Sequence, residues 1–202
     1  MLFRSETAAL VQAALALVGR NATLRTASFR EVYQEALSLD PMTASLAELQ
    51  AAFHGDIDPH GLTRDDWLDL LMTHRIQPAF PEGQLLAMHD YPATQCALAR
   101  VVRRGDVDVA ERFELYLGPL ELANGYHELT DAAEQHARFE RDRAVRAGRG
   151  LVQPPIDQAL LEALAAGMPD CAGVALGIDR LLMAMLGTAA IADVLAYDFE
   201  RA

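Results

Sequence analysis

The sequence predicts an α+β domain, an antiparallel sheet flanked by helices and preceded by a small helical segment. Three observations carry this. Apolar residues recur at helical spacing through the first 80 positions, behind repeated capping signals. After Pro78, short runs flank a Gly118-Pro119 turn. Near the end, a small-residue run, Gly173 to Leu176, leads into the apolar stretch Leu181 to Leu186. Residues 1–80 therefore read as an insertion-like helical segment and 81–202 as the sheet-bearing unit.

In order along the chain, Ser5 is placed to cap a helix running to Val18 and closed by Gly19. Ser28 with Glu31, Ser45 with Glu48 and Thr63 with Asp66 mark three further helix starts, and Asp40-Pro41 stops the first of these. Asp56 to Gly61 is a loop with alternating aspartates, but Trp67 stands where a calcium loop needs its twelfth-position ligand. Gln84 to Met88 reads as a short strand ending at Tyr91-Pro92, and Arg112 to Leu117 with Leu120 to Tyr126 as a hairpin. Helices are expected over Asp131 to Ala147 and Asp157 to Ala166, then from Ile178 and again from Thr188. Asp131, with Glu134, reads as a capping box.

All 17 basic residues are arginine. A chain without lysine has no P-loop clamp, no kinase strand lysine and no Schiff base to pyridoxal phosphate. The formal charge of −12 disfavours extensive nucleic-acid contact. Arginines from Arg138 to Arg149 alternate with acids and read as a solvated helix face. No apolar stretch approaches the roughly 20 residues of a membrane span, and the N-terminus lacks the pattern of a secretory signal. Two cysteines, Cys96 and Cys171, make no disulfide framework, so the expected location is cytoplasmic.

Chemistry concentrates in three places. In the hairpin, a two-residue turn pairs Glu121 with Tyr116 and puts Glu114 on the same face, with Leu115, Leu117, Leu120 and Leu122 on the other. Two neighbouring carboxylates repel, and a cation such as magnesium gives a reason to hold them together, although a solvated acidic face accounts for the pattern as well. Next, Asn124-Gly125 permits a bulge that aims Asn124, Tyr126 and Glu128 into the glutamates' cavity. His127-Glu128 opens like a zinc protease motif, but Asp131 stands at the second histidine position. Third, Gly173, Ala175 and Gly177 leave a strand face with little bulk, and Arg180 opens an otherwise apolar helix. Such an arginine suits a ligand phosphate or carboxylate, or else pairs with Asp179.

These three elements resemble the C-terminal half of a class II aminoacyl-tRNA synthetase catalytic domain of the lysyl type, with the Arg180 segment similar to motif 3. Glu121 to Asp131 and Gly167 to Gly177 are more similar still to a bacterial paralogue family, the elongation factor P (R)-β-lysine ligases. The likeness runs from Gln84 to Ala202 and includes Tyr91 to Gln95 and Pro155 to Gln158. It implies the class II antiparallel sheet and an ATP-dependent ligase that activates lysine or β-lysine as an adenylate and passes it to elongation factor P, with tRNA not expected as a substrate. Carried over by position, Glu114 and Glu121 would hold Mg2+. Glu121, Leu122, Gly177 and Arg180 would line the ATP site, with Arg180 catalytic. Glu128, Asn124, Tyr126 and Ala175 would form the substrate pocket.

Ala175 stands where lysyl-tRNA synthetases usually have glycine, and its methyl group is expected to tune the choice between α- and β-lysine. Neither motif 1 nor motif 2 precedes Gln84, so the chain is expected to be a C-terminal piece, inactive alone, of a protein that is a homodimer at full length. Two other readings are a fragment of a lysyl-tRNA synthetase and a non-catalytic synthetase-like binding module.

Overall fold

The computed structural model describes residues 2–198; Met1 and the last four residues, into which the expected unit 81–202 runs, lie outside the described residues. One six-stranded sheet organises the chain. It comprises β1 (Thr23–Ser28), β2 (Gln84–Pro92), β3 (Val101–Arg104), β4 (Val107–Leu117), β5 (Leu120–His127) and β6 (Ala172–Leu176). The order is β1-β2-β4-β5-β6, with β3 paired to β4. All pairings are antiparallel except β1 with β2.

Helices cover both faces. On one lie α2 (Phe29–Leu37), α3 (Leu46–Ala52) and α4 (Arg64–Leu71), the last continued by a π-helical turn over Met72–Ile76. Phe29, Tyr33, Leu49, Trp67 and Leu68 pack there against Leu86, Met88 and Tyr91 of the sheet. On the other face, α1 (Leu2–Leu17) and α7 (Ile178–Leu186) bring Val11, Leu15 and Leu181 onto Leu85, Phe113, Leu115 and Leu122. Helices α5 (Ala132–Gly148) and α6 (Gln158–Ala166) join β5 to β6.

The three capping boxes at Ser28, Ser45 and Thr63 form as expected. Elsewhere the structure corrects the sequence reading. Residues 1–80 are not wholly helical: β1 is a half-exposed edge strand whose partner lies far along the chain, and both cores draw on residues from each side of position 80. Ser5 sits inside α1 rather than capping it. At α5, Asp131 caps Ala133 and Glu134 through its carboxylate, but Glu134 turns to Arg138 instead of completing a box. Arg138 is buried, donating to the carbonyls of Ala97 (3.0 Å) and Ala99 (2.7 Å), so it leaves the solvated face. The helix expected from Thr188 is a single 3-10 turn over Ile191–Asp193. Apolar as it is, α7 leaves Ile178 and Leu186 exposed.

Candidate active site

The hairpin places the site. Gly118 takes φ +52°, the left-handed region that suits glycine, and Leu117 pairs with Leu120 and Tyr116 with Glu121. One step further the register shifts: Leu115 faces Ala123 and Glu114 faces Asn124, leaving Leu122 as the extra residue of a β-bulge. The bulge therefore falls at Leu122 and not at Asn124-Gly125. It lets the adjacent Leu122 and Ala123 both enter the α1/α7 core, while Glu121 and Asn124 turn to the opposite face. Leu122 accordingly offers a ligand no side chain; its carbonyl accepts from the Gly177 amide at 2.9 Å.

On that opposite face Glu114 is held tightly. Arg112 donates to its Oε1 at 2.5 Å and the Tyr116 hydroxyl donates to its Oε2. The Arg112 guanidinium lies 4.6 Å from the centre of the Tyr91 ring, and also reaches the Gln95 carbonyl (3.2 Å) and Asn124 Oδ1 (3.3 Å). Burial and the Glu114 charge both raise the Tyr116 and Tyr91 hydroxyls, which keeps them protonated. Glu121 is more open. Burial, then the charge of Glu114, raises its carboxyl above the ordinary range, against the pull of Arg180 and Arg112. Arg180 donates to the Glu121 carbonyl at 3.0 Å and lies 3.5 Å from its carboxylate, so its partner is Glu121 and not Asp179.

Glu114, Tyr116, Glu121 and Arg112 line a cavity of about 540 Å³ whose opposite wall comes from α4 and its continuation, including Asp65, Asp69 and Thr73. Asn124, Tyr126 and Glu128 do not line it. They follow on the same sheet face toward β6, where Asn124 pairs with Ala175 and Tyr126 with Gly173. A Cβ at Gly173 would clash with Glu128 Oε1, so the Glu128 carboxylate lies directly over the glycine. Burial raises the Glu128 carboxyl, opposed by the nearby His127 charge. Behind the strand, His127 Nε2 meets Asp170 at 2.5 Å and Arg100 joins both residues, tying the turn before β6 to β5.

The sequence reading missed Arg112, Tyr91 and Gln95. Arg112, Glu114 and Tyr116 alternate along β4, a period-2 polar set that marks one strand face and could have drawn attention to the arginine.

Magnesium fits the two glutamates. Among the described residues no group of three or more His, Cys, Asp or Glu side chains is placed to hold a metal unaided. Magnesium needs only one or two protein carboxylates beside substrate phosphates. Each Glu114 oxygen retains acceptor capacity beyond its bond to Arg112 or Tyr116.

Comparison with known proteins places the chain in a family. The model of the family described as tRNA synthetases class II (D, K and N) matches residues 26–201. The chain is 48% identical over 179 residues to proteins named elongation factor P–(R)-β-lysine ligase from Salmonella dublin, Salmonella paratyphi A and Salmonella agona. The alignment takes in 87% of this chain and 55% of each relative, so the chain spans little more than half the length of the curated relatives it matches.

Proposed function

Because the chain belongs to the class II tRNA synthetases (D, K and N), we propose that it carries the lysine-recognising half of an ATP-dependent ligase active on elongation factor P. The observation that bears most weight is Glu128: a half-buried carboxylate over the bare backbone of Gly173, on the same sheet face as Asn124 and Tyr126. A carboxylate in that setting suits the substrate's side-chain ammonium.

In the proposed reaction the amino-acid carboxylate attacks the α-phosphorus of ATP and pyrophosphate leaves. An acceptor lysine amine then attacks the acyl carbon, AMP leaves and the amine gives up a proton. Magnesium, held by Glu114 and Glu121, would neutralise charge on the phosphates. Arg180 contacts the nucleotide from the start of α7, Gly177 leaves room for the adenine, and Glu121 with the Leu122 backbone borders it. Ala175, beside Asn124 on the pocket face, sets the preference between α- and β-lysine.

The −12 charge supports a protein acceptor over tRNA, and two free cysteines suit the cytoplasm. The full-length protein is read as a homodimer, and this chain alone as inactive. Titrating L-lysine into the chain tests the pocket: Glu128→Gln is expected to weaken binding about tenfold or more, the usual cost of removing a charged hydrogen-bond partner. Equal affinity for wild type and variant would refute the assignment.

A further inference from the structure

The cavity beneath α4 has a wall that the proposed chemistry leaves unused. Asp65 and Asp69 stand one helical turn apart on α4 and both line it. Each accepts from a neutral donor across the gap, Asp65 from Thr94 Oγ1 (2.8 Å) and Asp69 from Gln95 Nε2 (2.9 Å). Among the described residues neither takes part in a salt bridge, although the chain is rich in arginine.

A second observation points into the same space. Tyr91, 4% exposed, lines the cavity, and its hydroxyl has no hydrogen-bond partner. Buried hydroxyls are rarely left so, and this one is available to a polar group entering the cavity. Glu114 and Tyr116 are its polar neighbours, and neither stands in hydrogen-bond geometry with it.

The charge of the cavity selects the ligand. Four carboxylates, Asp65, Asp69, Glu114 and Glu121, face one guanidinium, Arg112. Asp65 and Asp69 repel an anion from the α4 wall, and the magnesium proposed above belongs to Glu114 and Glu121 on the opposite side. An ammonium offers three donors to a wall made of acceptors. These 202 residues contain no lysine, so none of their side chains offers an ammonium.

We infer that Asp65, Asp69 and the Tyr91 hydroxyl form a subsite for a primary ammonium on an alkyl chain, the side chain of an acceptor lysine in a partner polypeptide. The inference rests on the ligase reading and adds the acceptor side to it. Glu128 does not line this cavity, so the donor amino acid and the acceptor lysine meet different carboxylates.

The test uses the 202-residue chain and a short end-blocked peptide carrying one lysine, beside the same peptide with that lysine Nε-acetylated. Binding is followed by calorimetry or NMR. The lysine peptide is expected to bind, the acetylated one about tenfold or more weakly, and Asp65→Asn and Asp69→Asn each to lose about tenfold, as for a charged hydrogen bond. Tyr91→Phe keeps the buried ring and is expected to weaken binding severalfold, which covers the case of an aspartate variant that fails to fold. No binding of the lysine peptide, equal binding of the acetylated peptide, or wild-type affinity in the folded variants overturns the inference. Free lysine titrated into Asp65→Asn/Asp69→Asn, with and without Glu128→Gln, reads the donor pocket separately, so the two readings fail independently.

Discussion

At Glu128, the surroundings act on the charge in opposite senses: burial raises the carboxyl, and His127 partly offsets it. A carboxyl raised in the folded state holds its proton more tightly there than in the unfolded chain. Its contribution to stability is therefore present below the unfolded value and lost as pH rises through the folded one. Binding runs the other way, because only the anion attracts an ammonium. Lysine affinity should be full near neutrality and fall, on acidification, with a midpoint above the usual glutamate value of about 4.3. Titrations across that range check this; a midpoint at or below the ordinary value contradicts the buried-carboxylate reading. Glu121, raised by burial and by Glu114, shifts in the same direction.

Two glycines of the β5–β6 pair face different obstacles, and substitution separates them. An added methyl at Gly125 would stand 2.6 Å from Phe113, 2.7 Å from the Gly173 carbonyl and 2.9 Å from Val174. Backbone and a core ring cannot withdraw cheaply, so Gly125→Ala is expected to cost about 1–3 kcal/mol in urea unfolding. At Gly173 the obstacle is only the end of the Glu128 side chain. Gly173→Ala should thus keep most of the stability while displacing the carboxylate and weakening lysine binding; the reverse pattern would sink this account of β6. The turn at Gly118-Pro119 and the pairing of Tyr116 with Glu121 were readable because glycine and proline restrict turn geometry locally. The bulge at Leu122 was not: Leu122 and Ala123 are both apolar, and only the core beneath them decides that both point inward. Strand β1 stayed hidden for a similar reason, since a half-exposed six-residue edge pairs in parallel with a segment some 60 residues away.

Over the whole molecule, the acidic balance has a location. Part of the −12 lies in one cavity, where Asp65 and Asp69 face Glu114 and Glu121. Sequence alone showed the glutamates, a few residues apart on one hairpin, but not the aspartates, which reach Thr94 and Gln95 across 29 and 26 positions of chain. The chain also spans 55% of its curated relatives' length. The 202-residue chain is therefore expected to give no ATP–pyrophosphate exchange with lysine; measurable exchange would overturn that reading. The central claim is tested most directly by incubating the native gene product that carries this sequence with ATP, labelled β-lysine, elongation factor P and tRNA together. The account predicts label on elongation factor P, with less from α-lysine and a narrower preference in Ala175→Gly. Label on tRNA instead, or on neither acceptor, would contradict it.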